Sequence, residues 1–150
     1  MDTMDTEDDF LKSWFSGFIS GLEQLDESSR DIILRSCGEA CAQSYTLKVF
    51  QEEYQNSNSL DDFLNKLADR FPGASYKLIH LNTIEVIYSE CACDLVRRGW
   101  IKSPLLCKCS VSNLQINFAE SLNKPVNVQL KSSILDGAEL CKFVVELGEV

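Results

Sequence analysis

The hydrophobic period of this chain changes at Pro72-Gly73, and that change restricts the class of fold it can adopt. Before it, apolar residues recur every three or four positions; after it, outside one inserted helix, they alternate. The first recurrence lays an apolar stripe along a helix, and the second turns one side of a strand into a core. Helices packed on a sheet are therefore expected, rather than a bundle or a sandwich.

In the first half, Phe10, Leu11, Trp14, Phe15, Phe18, Ile19 and Leu22 form one broad stripe and predict a first helix. Residues 1–8 before it are polar and acidic and read as a frayed tail. Asp26 or Ser28 can cap a second helix with Ile32, Ile33, Cys37, Ala40 and Cys41 on one side, and the short polar link makes the two helices antiparallel neighbours. A third helix is expected over Leu47 to Tyr54, ending in the polar run QNSNS. Ser59, with Asp62 three residues on, opens a fourth whose buried face is Leu60, Phe63, Leu64, Leu67 and Phe71. Pro72 and Gly73 stop it.

In the second half, SYKLIHLN and the stretch from Thr83 to Tyr88 read as paired strands turning at Asn82. Ser112 with Gln115 reads as a capping box for an inserted helix carrying Leu114, Phe118 and Leu122, which Asn123 to Pro125 end. Val126, Val128 and Leu130 then alternate with polar residues, as do Cys141, Phe143, Val145 and Leu147 with their neighbours, and Asp136-Gly137 between them signals a hairpin. The expected fold class is α+β, in one domain over 1–150. Its helical half covers 9–71, and residues 74–147 form a mainly antiparallel sheet of about four strands with a cysteine loop and one inserted helix. At 150 residues the chain is long enough to bury a core without disulfide or metal staples.

The formal net charge of -9 repels phosphate backbones and anionic membrane surfaces, and no basic stripe interleaved with aromatics offsets it. Neither nucleic acid nor membrane is an expected partner. MDTMDTEDDF lacks the positive segment and apolar core of a signal peptide, and no apolar run approaches the ~20 residues needed to span a bilayer. The expected compartment is the cytoplasm, where thiols are kept reduced. The seven cysteines are then free, metal-bound or reactive rather than paired, and their odd number leaves at least one without an intrachain partner.

Four of those cysteines sit in one stretch, as Cys91-x-Cys93 and Cys107-x-Cys109 flanking the loop DLVRRGWIKSPLL. In extended chain each pair would share a face, and four thiolates suit the tetrahedral closed site of zinc. Cys141 begins the last strand; if that strand pairs antiparallel with the one ending at Ser89, Cys141 joins them at one end of the sheet. Cys37 and Cys41, at helical i,i+4 spacing, can chelate a metal or face a pocket together. The plainer reading treats each thiol as a small buried hydrophobe. Arg97, Arg98 and Trp100 lie inside the cysteine loop; the arginines either favour a thiolate or an anionic ligand, or simply form a basic surface. His80, the single histidine, lies in a strand, where a satisfied or surface histidine is the ordinary outcome and a base for a cysteine nucleophile the sharper one.

The run Gly137 to Phe143, G-x-x-x-C-x-F in a C-terminal hairpin after a loop with Gly99 and Cys107 and then a helix, resembles the C-terminal half of two families. These are the 4-vinyl reductase-like domains and the L-2-amino-thiazoline-4-carboxylate hydrolase-like proteins, and the resemblance covers roughly residues 83 to 147. It implies an α/β fold that binds small molecules between sheet and helices, with cysteines that bind metal or take part in ring-opening hydrolysis. Cys91 or Cys93, Cys107 and Cys141 match the recurring cysteine positions. The leading expectation is a cytosolic small-ligand or metal-binding domain with zinc as the candidate ion, held by Cys91, Cys93, Cys107, Cys109 and Cys141, and with Cys37, Cys41, Arg97, Arg98 and Trp100 around the pocket. Two alternatives stand beside it: a cysteine-dependent hydrolase of a small cyclic amide or thiazoline using Cys91, Cys93 or Cys107, and an interaction module whose thiols only pack. The aromatic first helix also suits a homodimer.

Overall fold

A computed structural model describes residues 3–91 and 93–149. Helices α1 (Thr3–Glu23), α2 (Glu27–Cys41), α3 (Leu47–Gln55) and α4 (Leu60–Arg70) fill the first half. Strands β1 (Ala74–His80) and β2 (Thr83–Tyr88), the short helix α5 (Asp94–Arg97), helix α6 (Leu106–Leu122), and strands β3 (Val126–Ser132) and β4 (Cys141–Leu147) follow. The α+β expectation holds: the sheet has the order β1-β2-β4-β3, and every neighbouring pair is antiparallel. β4 enters between β2 and β3, so the last strand lies next to β2 with Tyr88 opposite Cys141.

Alternation decides which face of the sheet is covered. Tyr76, Ile84, Val86, Val128, Cys141, Phe143, Val145 and Leu147 are buried, and they meet Phe50 of α3, Phe63, Leu64 and Leu67 of α4, and Leu114, Phe118 and Leu122 of α6. Phe50 packs edge-on against Phe63, Tyr76 and Phe118, the geometry that aromatic quadrupoles favour. A second cluster gathers Ile19 and Leu22 of α1, Leu34 of α2, Ile101, and Leu106 of α6, with Trp100, Leu95, Cys93 and Cys109 packed against it.

Several boundaries differ from the sequence reading, each for a local reason. α1 begins at Thr3, inside the stretch expected to fray; residues 1 and 2 lie outside the described residues. Acidic side chains suit the positive end of a helix. Asp8 further ties the helix down by accepting from Trp100 Nε1 at 2.6 Å and pairing with Lys12 at 3.2 Å. The broad stripe of α1 is only partly used, since Ile19 and Leu22 are buried while Phe10 is 64% and Trp14 55% exposed. α2 turns Leu34 and Gly38 inward, leaving Ile32, Cys37, Ala40 and Cys41 exposed where the sequence suggests a buried side. α2 does not stop before α3. A π-helical turn at Ala42–Thr46 joins them into one continuous run. Ser59 caps α4 as expected, accepting from Asp62 N at 3.1 Å.

The inserted helix starts at Leu106, six residues ahead of the Ser112-Gln115 box, so Cys107 and Cys109 are helical rather than extended. Ser103-Pro104 is the start signal that the box obscures: Ser103 Oγ accepts from Leu105 N at 3.3 Å, and proline is tolerated where a helix opens. Asn123, in the left-handed region at φ 53°, ends α6 where expected.

Candidate functional site

The end of the sheet where β2 stops and β4 starts is where the thiols meet. The antiparallel register brings Cys141 across from Tyr88, so the loop leaving β2 carries Cys91 and Cys93 past the start of β4. The first turn of α6 adds Cys107 from above. These four thiols, with Tyr88, Leu106, Ser110, Leu135 and Phe143, line one cavity of about 10 Å³. That is room for about one water. The turn after β3 fixes two of the sulfurs. Cys107 Sγ and Ser133 Oγ share a hydrogen at 2.8 Å, and Ile134 N donates to Cys141 Sγ at 3.4 Å.

Cys109 does not join them. On a helix, residues two apart point about 200° apart, so a C-x-C in the first turn of α6 cannot present both sulfurs to one site. Cys107 faces the sheet, while Cys109 lies over α2, its carbonyl oxygen against Gly38. Cys37 and Cys41 are on that α2 side, exposed and outside the cavity lining. All seven cysteines are free. Among the described residues, no group of three or more His, Cys, Asp or Glu is arranged to hold a metal ion.

Burial governs the chemistry of these thiols. It pushes the Cys91 thiol up, assisted by Cys93 and Cys141 and only partly offset by the Cys93 backbone N–H and by Arg97. It also raises Cys107, where the hydrogen bond with Ser133 gives back part of the shift. Burial, then the neighbouring thiols of Cys37, Cys93 and Cys41, push Cys109 up to about 12. At neutral pH these three groups are protonated, which suits a soft apolar contact and works against a free nucleophile. The Tyr88 phenol is held neutral by the same burial.

The remaining candidates lie outside the cavity. Arg97 Nε donates to the Cys91 carbonyl at 3.4 Å and its guanidinium pairs with Asp94 at 3.8 Å, both side chains exposed. Arg98 lies 5.1 Å over the Trp100 ring, and Trp100 stacks on Phe15 at 5.9 Å, fastening the loop to α1. Trp100 also lines a separate open groove of about 400 Å³ with Phe15, Ile19, Ile101 and Pro104. His80 is exposed and pairs with Thr83 at the far end of the β1–β2 hairpin. The rise from Thr83 to Tyr88 along β2 puts about 17 Å between it and the thiols, so His80 is not their base. Tyr88, Ser133 and Ser110 escape the sequence reading. Tyr88 has a signal in its pairing opposite Cys141, whereas nothing in the sequence marks a serine in a turn.

No protein-family model matches the chain, and no curated protein matches it. Solved structures do share its fold. One is a trafficking protein particle complex subunit 3 from Naegleria fowleri covalently bound to palmitic acid, at 10% identity and TM-score 0.54 over 97% of both chains. Another is the phenol-responsive sensory domain of the transcription activator PoxR with phenol, at 9% identity and TM-score 0.62 over 91% of this chain and 74% of that one. A third is an H-NOX protein from S. oneidensis in the Fe(II)NO ligation state, at 14% identity and TM-score 0.50, covering 80% and 66%. Identities this low establish the shared α+β architecture. Among the described residues, no helix is long and apolar enough to cross a membrane.

Proposed function

We propose that this chain is a small-ligand-binding domain that seats its ligand at the thiol-lined end of the sheet. One observation carries the reading: Cys91, Cys93, Cys107 and Cys141, from three separate stretches, line a single cavity beside the half-buried Tyr88. The fold supports it, because the PoxR sensory domain of similar architecture was solved with phenol. The cavity of about 10 Å³ is far too small for the long acyl chain carried by the trafficking-complex subunit, and sets the scale at a single ion or, with movement of the loop after β2, a small molecule. That loop is the wall best able to move, since the regular structure among its described residues is limited to the four-residue α5.

Zinc is the sharper form of the reading. It would bind only by displacing the protons that burial holds on Cys91 and Cys107, and by drawing sulfurs together that are not arranged for it. The hydrolase alternative has less support, because the raised thiols are protonated and His80 lies at the far end of the β1–β2 hairpin. Packed thiols without a ligand are favoured by the same raised pKa values and by the small cavity.

Thermal melts of reduced protein with zinc chloride and with phenol separate these readings. A ligand at a hundred times its Kd stabilises by about 2.7 kcal/mol, a clear rise in Tm that should vanish in Cys107→Ala/Cys141→Ala. No shift with either probe, together with metal content of chelator-free preparations below about a tenth of an equivalent, would leave only the packed-thiol module.

A further inference from the structure

Four of the seven thiols line the cavity and three, Cys37, Cys41 and Cys109, lie on the α2–α6 side, with Cys93 of the cavity within electrostatic reach of Cys41 and Cys109. α2 presents Cys37 and Cys41 one turn apart, both free and both exposed. Side chains at that spacing are about 5–6 Å apart at Cβ. Gly38 lies in the turn between them, and there α6 comes so close that a β-carbon would sit 2.6 Å from the Cys109 carbonyl oxygen. Cys109 is thus laid on the turn that carries the pair, its thiol within electrostatic reach of both and of Cys93.

We propose that Cys37 and Cys41, backed by Cys109, form a second thiol site on the α2 side of Cys93 that captures a soft monovalent cation of the Cu(I) class. Thiolates select such ions, and two donors suffice for them, whereas a structural zinc requires four. The described residues offer no ready group of three or more donors, so the exposed pair is the primary ligand set and Cys109 the third donor recruited behind it. Exposure on α2 gives the ion its entry at Cys37, and Cys41, which Asn113 of α6 also reaches, turns toward it on binding. On binding, each of the two thiols releases its proton to solvent as its sulfur forms a bond to copper. Copper stays in the +1 state and no electron is transferred.

The test is an anaerobic titration of reduced, full-length protein with Cu(I) against bicinchoninate, following the thiolate-to-copper band in the ultraviolet. Wild type should withdraw one equivalent. C37S/C41S, which alters only exposed side chains, should bind about tenfold or more weakly with its melting temperature kept, and C107A should bind as wild type does. Wild type that leaves all copper on the chelator overturns the proposal. So does a C37S/C41S variant that holds copper unchanged; if C107A is then the variant that loses it, the ion belongs to the cavity, and the small-ligand reading stands while this one falls.

Discussion

A β-carbon on Gly38 would lie 2.6 Å from the Cys109 carbonyl oxygen and 2.6 Å from Ser112 Cβ. Neither atom belongs to a flexible side-chain end, so the helices themselves would have to part. Gly38→Ala therefore opposes a gain of about 1 kcal/mol in helix propensity with about 1–3 kcal/mol of overpacking, and a net loss of up to about 2 kcal/mol is expected in urea unfolding. Gly17 in α1 is the control. Nothing lies within 4 Å of its added carbon, so Gly17→Ala should gain about 0.5–1 kcal/mol. A midpoint that rises for both would mean that α2 and α6 are not in this close contact. In CGEAC the cysteines draw the eye, yet the glycine decides the packing, because close approach depends on the opposing backbone and leaves no local pattern.

The π-turn at Ala42–Thr46 adds a residue to the run from α2 to α3 and rotates Thr46 into the seam with α6. There the Thr46 hydroxyl accepts from Asn113 Nδ2 and Asn117 Nδ2, each at 3.1 Å, and Asn117 also donates to Asn113 Oδ1 at 3.0 Å. Asn117 is 0% exposed, so its hydrogen bonds replace water entirely. Asn117→Ala leaves two partners short of a bond in a buried seam, and a loss of about 1–3 kcal/mol with an unchanged denaturant slope is the expected outcome. A loss below about 0.5 kcal/mol would mean that the triad does not hold the two elements together. At this scale the sequence is informative about type and less so about limits. Period alone places the helices before Pro72 and the strands after it, because burial enforces period. It does not reveal the π-turn, since one inserted residue still reads as a helix, nor the start of α6 at Leu106, since the later Ser112-Gln115 box looks like a better cap than Ser103-Pro104.

Across the molecule, antiparallel pairing of β2 with β4 gathers sulfurs from Cys91 to Cys141 at one end of the sheet, and that convergence is legible from alternation and direction. The separation of Cys107 from Cys109 is not, because it depends on whether their C-x-C is extended or helical. Both groups share one property with a consequence for the whole fold: burial raises Cys41, Cys91, Cys107 and Cys109 above the ordinary thiol value of 9.0, Cys109 to about 12. A group that binds its proton more tightly folded than unfolded contributes its stability in full below the unfolded value, and that contribution is lost as pH climbs through the folded one. Stability in urea under reductant should therefore hold to about pH 8 and then decline steadily through pH 10 and above, the buried Tyr88 phenol adding to the fall beyond the ordinary tyrosine value of 10.0. Lysine deprotonation acts over the same range, so the slope alone does not assign the effect to sulfur. Cys109→Ala removes the thiol raised to about 12, and its decline between about pH 9 and 11 should be shallower than that of the wild type. Parallel curves for the two proteins would show that Cys109 ionises as readily folded as unfolded, and that packing of α6 on α2 does not hold its proton.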